Sequence, residues 1–168
     1  MKVGVISDTH NWLDPTLDTV FKDCDEIWHA GDVGTLPILE SLAAYAPLVR
    51  SVYGNIDGMD LRTRLPEHQL LEIEGLKTLL IHIAGKPPRY TKEVLGLIRK
   101  LNPDILICGH SHILKIMKDK QHDLLYINPG AAGRYGFHKM RTVIRFEIKS
   151  GLISQMEVVE LGLRSIKA

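Results

Sequence analysis

At 168 residues, with 45% hydrophobic and 24% charged side chains, the chain has the size and composition of one globular domain, 1–168, with room for a sizeable core. A net charge of +1 gives no strong nucleic-acid signal, and no run approaches the ~18 apolar residues that a membrane span needs. Two cysteines, Cys24 and Cys108, are too few for a disulfide framework; read as reduced thiols, and with no signal-peptide pattern after Met1, they predict a cytoplasmic protein.

The first strand, Lys2 to Ile6, enters the core at once and ends in Ser7-Asp8-Thr9-His10-Asn11. In extended backbone alternate side chains share a face, so Asp8 and His10 can point at one spot. Asp8 could equally cap the next helix. Asp14-Pro15 supplies a separate start for that helix, which is expected to run to about Lys22. Glu26 to His29 is the second strand, and Asp32 follows it between Gly31 and Gly34. Either a turn or a ligand fits Asp32 taken alone. His29 lies inside the strand and reads as a packed, hydrogen-bonded residue.

Leu36 to Tyr45 has the spacing of an amphipathic helix, with Pro47 after its end. A third strand, Leu48 to Tyr53, ends in Gly54-Asn55-Ile56-Asp57-Gly58, again a polar cluster among glycines. His68 to Ile73 and Leu76 to Ile83 form a hairpin around Glu74-Gly75. Its second arm is continuously apolar, as a central strand should be, and carries His82. Residues 84–90 are expected to be a loop stiffened by Pro87 and Pro88. Thr91 to Leu101 is a helix with Thr91 as its cap. The apolar run Ile105-Leu106-Ile107-Cys108 then stops at Gly109 and presents His110 and His112, two positions apart.

Beyond His112 the pattern changes to strands at Ile113 to Lys118, Leu124 to Ile127, Arg141 to Ile148 and Leu152 to Leu161. His68 and His122 read as turn or surface residues. The first half is thus βαβα and the second mostly antiparallel strand. The expected fold class is α+β (α/β), two mixed β-sheets packed together with helices outside.

Five successive strand ends carry side chains able to bind a metal: Asp8 with His10, Asp32, Asn55, His82, and His110 with His112. The carboxyl ends of strands are where sites form in such sheets. Oxygen and nitrogen donors without a thiolate suit manganese, iron, nickel or zinc.

This series resembles the calcineurin-like metallophosphoesterase superfamily, whose pattern is Asp-x-His, Gly-Asp, Gly-Asn-His-Asp/Glu, a His, and Gly-His-x-His. The chain offers Asp8-Thr9-His10, Gly31-Asp32, Gly54-Asn55-Ile56-Asp57, His82 and Gly109-His110-Ser111-His112, a match spanning about residues 3 to 133. Within it the chain looks most like the small YfcE-type phosphodiesterases, which the Asn128-Pro129-Gly130 stretch also fits. The resemblance implies a four-layer αββα sandwich with two divalent ions, Mn²⁺ first and Ni²⁺, Zn²⁺ or Fe as substitutes. It implies that Asp8, His10, Asp32 and His112 hold one ion and Asp32, Asn55, His82 and His110 the other. Asp32, Asn55 and His110 would also act in catalysis. The implied function is a dinuclear phosphoesterase, in particular a phosphodiesterase, in which a metal-bridging hydroxide attacks a small phosphodiester or phosphomonoester. The alternative is a scaffold like the related retromer subunit Vps29, with a weakly active or vestigial site.

Two departures from the pattern stand out. Ile56 replaces the histidine of Gly-Asn-His, which removes a general acid worth ~10²–10⁴-fold. Asp57 is then left without the histidine it would orient. Ile83 follows His82 where the family has glycine. Arg134 is the basic group nearest the expected site and a candidate contact to substrate phosphate, with Arg89, His138 and Lys86 behind it. Specificity is expected in loops 84–90 and 129–140. A homodimer through an edge strand is compatible with this pattern.

Overall fold

The computed structural model describes residues 1–164 of the chain. In chain order its elements are β1 (Lys2–Ile6), α1 (Leu17–Phe21), β2 (Glu26–His29), α2 (Leu36–Leu42), β3 (Leu48–Ser51), α3 (Met59–Arg62), β4 (His68–Ile73), β5 (Leu76–Ile81), β6 (Gly85–Lys86) and β7 (Arg89–Tyr90). There follow α4 (Lys92–Leu101), β8 (Ile105–Ile107), β9 (Leu114–Asp119), β10 (Leu124–Pro129), β11 (Met140–Lys149) and β12 (Leu152–Leu163). One five-stranded sheet has the order β12-β11-β1-β2-β3, and the other has β4-β5-β8-β10-β9. Both are mixed, with three parallel strands in each: β1, β2 and β3 in the first, β5, β8 and β10 in the second.

Strand alternation sorts the apolar side chains into three layers. Val3, Val5 and Trp28 from the first sheet meet Leu80, Ile105, Ile107 and Ile127 from the second. On the far side of the first sheet, Ile6 and Ile27 pack under Leu17, Phe21, Ile38 and Leu42 of α1 and α2. On the far side of the second, Leu79, Leu106 and Cys108 pack under Val94 and Ile98 of α4. This is the expected αββα sandwich, and it explains why β1, β2, β5 and β8 are apolar on both faces. A Cβ on Gly4 would stand 2.6 Å from the Phe21 ring, so the glycine lets α1 lie close on β1. Trp28 is wholly buried between the sheets, and its indole N–H donates to Glu26 (2.7 Å), which is itself held by the Arg50 guanidinium. Both polar groups of this core contact are therefore satisfied.

Several elements depart from the sequence expectation. The first helix is shorter, because the Asp14 carboxylate accepts from the backbone N–H and hydroxyl of Thr16 (2.9 and 2.7 Å) and closes a turn ahead of it. Asp14 also pairs with the buried Arg141. Residues 84–90 form a small hairpin rather than a plain loop. Gly85 faces Tyr90 and Lys86 faces Arg89 across β6 and β7, and the prolines, which lack N–H groups, occupy the turn. Helix α3 has too few residues to show a period and escaped the sequence reading. His122 is half-buried and its ring lies 2.8 Å from the Asp119 carboxylate, while His68 begins β4. Cys24 and Cys108 are both buried and free, on opposite outer layers. Among the described residues no helix is long and apolar enough to cross a membrane.

Candidate metal centre

Because the central strands of each sheet run parallel, their carboxyl ends open on one edge of the sandwich. Asp8 and His10 follow β1, Asp32 follows β2, Asn55 follows β3, His82 follows β5, and His110 and His112 follow β8. Main-chain bonds lace these loops together. Asp8 N–H donates to Gly31 O (3.0 Å), His10 N–H to Asp32 O (3.1 Å) and Gly109 N–H to His82 O (3.0 Å). The Asp8 carboxylate accepts from His110 N–H (3.1 Å), tying one sheet to the other across the centre.

The seven side chains converge. His112 Nε2 lies 3.2 Å from Asp8 Oδ1 and 3.3 Å from His10 Nε2, and His10 Nε2 is 3.6 Å from Asp32 Oδ2. His82 Nε2 lies 3.2 Å from Asp32 Oδ1 and 3.1 Å from Asn55 Oδ1, which is 2.8 Å from His110 Nδ1. Asp8, His10 and His112 form one compact trio of donors; Asp8, Asp32 and His82 form another. Donors sharing one ion at bond lengths of about 2.1 Å stand roughly 3 Å or a little more apart, which is the spacing found here. A cation between the Nε2 atoms of His10 and His112 and the carboxylates would give each lone pair a partner. The donor set therefore fits divalent metal.

The ring of His82 is already aimed. Its Nδ1 donates to the carbonyl of Ala30 (2.7 Å), an acceptor only, so Nε2 keeps its lone pair toward the centre. Burial opposes a charged His82, yet Asp32 and Asp8 outweigh it and raise the pKa. Burial likewise works against the Asp32 carboxylate, but the His82 ring, Ile56 N–H (3.0 Å) and His10 hold its pKa down. For His10 burial wins over Asp32 and Asp8, and the pKa falls.

Asp8, His10, Asp32, His110 and His112 all adopt left-handed backbone, with φ of 55°, 46°, 55°, 67° and 56°. Each costs of order 1 kcal/mol, and such strain gathers at functional sites. The flanking glycines make room. A Cβ on Gly54 would lie 2.1 Å from Asp32 Oδ1, and one on Gly109 would lie 1.9 Å from Ser7 Oγ.

His29 is packed and bonded, as its place within the strand suggests. Gly31 N–H donates to its Nδ1 (3.1 Å) and its Nε2 meets Thr9 Oγ1 (2.9 Å); burial lowers its pKa to about 4. Asp57 has a task the sequence did not reveal. Its carboxylate accepts from the backbone N–H groups of Val33 (3.2 Å), Gly34 (2.7 Å) and Gly54 (2.7 Å), so it pins the Asp32 loop to the Asn55 loop. Arg62 of α3 braces the same loop through the carbonyls of Asp57 (2.7 Å) and Gly54 (3.1 Å). Only the strand-end pattern pointed to Asp57, and nothing local marked Arg62.

Ile56 is 43% exposed beside Asn55 and offers no proton donor. Ile83 is also exposed; with His82, Asn55, Arg62 and Glu93 it lines a cleft of about 300 Å³, so it faces the cleft rather than the packed interior. Arg134 lies over the Trp12 ring, 4.0 Å from its centroid, in place of a contact with the donors. In the same loop Tyr135 is exposed and rests against His10 (5.3 Å between centroids), while Gly136 and His138 press on His112.

A family model described as the calcineurin-like phosphoesterase superfamily domain matches residues 1–151. The chain belongs to this superfamily. A probable metallophosphoesterase of Methanocaldococcus jannaschii is 38% identical over 137 residues, covering 78% of this chain and 68% of that one. A phosphodiesterase of the same organism is 27% identical over 152 residues, 80% of this chain and 86% of its own. Among solved structures, a single-substitution form of Vps29 from Entamoeba histolytica has a TM-score of 0.75 at 23% identity, covering 95% of this chain and 99% of that one. That likeness is one of fold. The enzyme class expected from the motifs, a metal-dependent phosphoesterase, is the class of this superfamily.

Proposed function

We propose that the chain is a dinuclear phosphoesterase that prefers phosphodiesters. The observation that carries this reading is the meeting of seven oxygen and nitrogen donors from five strand ends, at the spacings of shared coordination. Asp8, His10, Asp32 and His112 would hold one ion. Asp32, Asn55, His82 and His110 would hold the other, with Asp32 common to both. When bound, two such ions polarise the phosphate and lower the pKa of water.

The chain's own residues supply the rest. Asp32 is kept ionised by its neighbours, and its two oxygens face different donors, Oδ1 toward His82 and Oδ2 toward His10. Asn55 contributes a neutral oxygen, which leaves the centre cationic toward phosphate. Ala30 orients His82, and Asp57 fixes the separation of the Asp32 and Asn55 loops. Ile56 cannot protonate a departing alkoxide, so the favoured substrate is a diester whose leaving group needs little help. Mn²⁺ is the proposed ion, with Ni²⁺, Zn²⁺ and Fe suited to the same donors. The phosphodiesterase relative supports the diester preference.

The test is hydrolysis of a chromogenic diester and its monoester counterpart by metal-stripped protein, with and without Mn²⁺, beside Asp32→Ala. Mn²⁺-dependent cleavage of the diester, lost in the variant, is expected. Stoichiometric metal binding with no cleavage under Mn²⁺, Ni²⁺, Zn²⁺ or Fe²⁺ would replace the enzyme reading with a scaffold like Vps29.

A further inference from the structure

Two clefts of different charge open from the Asn55 and His110 side of the centre. One, of about 300 Å³, is lined by Glu67 and Glu93 as well as Arg62. The other, of about 450 Å³, runs from His110 past Lys86, Arg89, Lys115 and Tyr126, and no carboxylate lines it. Among the described residues, none of those three cations forms an ion pair.

The placement of two of the cations is built into the fold. Lys86 and Arg89 are register partners, directly opposite across the β6–β7 ladder. Like charges in that position repel. The hairpin cannot relax freely, because it is tethered on several sides. Tyr90 is buried and its hydroxyl donates to Asp119 (2.8 Å), Tyr126 donates to Gly85 O (3.1 Å), and Thr91 N–H donates to Ala84 O (3.0 Å). The remaining cation, Lys115, comes from β9, so two separate elements aim positive charge into one groove. An anion there would relieve the repulsion and form charge-assisted hydrogen bonds.

We infer that this groove receives a second phosphate group of the substrate, so that the favoured substrate is a phosphodiester with a further phosphate on one arm, such as a nucleoside 5′-phosphodiester that also carries a 3′-phosphate. The inference rests on the phosphoesterase reading for the first phosphate, and adds Lys86, Arg89 and Lys115 as specificity residues for the second. The mixed cleft on the other side would take the uncharged arm.

Titration calorimetry, with and without Mn²⁺, compares thymidine 5′-monophosphate with thymidine 3′,5′-bisphosphate. In the wild type with Mn²⁺ the bisphosphate is expected to bind about tenfold more tightly, the size of one charge-assisted contact. The triple variant Lys86→Gln, Arg89→Gln, Lys115→Gln is expected to bind the two ligands equally. Equal affinities in the wild type, or a gap that survives in the variant, would overturn the inference. The same preparations are assayed with thymidine 5′-(p-nitrophenyl phosphate). Cleavage without an affinity gap sinks the groove and spares the phosphodiesterase; a gap that the triple variant abolishes, with no cleavage under any metal, does the reverse.

Discussion

The centre has a closed side and an open side. Asp8, Asp32 and His82 are buried and held from several directions, whereas Asn55 and His110 are exposed and face the two clefts. Supports on the closed side reach the donors themselves: Ala30 O on His82, Ile56 N–H on Asp32, His110 N–H on Asp8. On the open side they reach the loop that carries the donor, through Asp57 and Arg62 on either side of Asn55. The donor set thus divides into a sealed half and an accessible half. Charge and position are fixed where water is excluded, and the exposed donors face the clefts.

The largest loss is expected from Asp32→Ala, which removes the carboxylate proposed to serve both ions. Diester hydrolysis is expected to fall by about 10³-fold or more, the scale of losing several kcal/mol of metal assistance. Metal titration of the variant should show loss at both positions; retention of two tightly bound ions would refute the shared role.

A second strike at the same side uses pH. The buried His29 has a pKa lowered from 6.5 to about 4. Above pH 6.5 the folded and unfolded chains are both neutral at this residue and its full contribution is present. Between 6.5 and about 4 the unfolded chain takes up a proton that the folded chain refuses, so stability falls with pH by roughly 3 kcal/mol. Urea unfolding across this window should give a flatter pH dependence for His29→Gln than for wild type. Parallel slopes for the two proteins would show that His29 does not drive the loss.

The open side is sharpened by Asp57→Ala. Three backbone N–H groups lose their acceptor, and the Asn55 loop loosens. Affinity for the ion beside Asn55 is expected to drop about 10–100-fold, and that for the other ion less, the scale of losing a partner that orients a ligand. Calorimetry that finds both ions weakened alike would remove the distinction between the two sides.

The smallest effect is a gain. Ile56→His places a proton donor on the exposed rim beside Asn55. Hydrolysis of substrates with poor leaving groups should rise about tenfold, short of the ~10²–10⁴-fold of an optimally placed general acid, with little change for p-nitrophenyl esters. A uniform change across leaving groups would indicate repositioned metal rather than acid catalysis.

Most of the site's membership was legible because it follows a local rule. Each donor comes directly after an apolar run, and strands in open sheets carry their sites at the carboxyl end. The residues that brace the site were not legible in the same way. Asp57 read only as a member of the polar cluster after β3, because two of its three N–H partners lie 23 and 24 positions away in sequence. Arg62 sits on a single helical turn too short to carry a period. Arg134 looked like a phosphate contact from its place in a glycine-rich loop, yet Trp12 takes its guanidinium.

The layers and the candidate donors follow from local sequence. Continuous apolar runs demand strands covered on both faces, and paired ligand types at strand ends demand a common edge. How the edge is shared out depends on long-range packing. Which donors are sealed and which exposed depends on how loops from two sheets close over one another. The charge of each cleft depends on side chains from distant segments, as when Lys115 joins Lys86 and Arg89. Those outcomes come from contacts between residues far apart in the chain, and no local pattern encodes them.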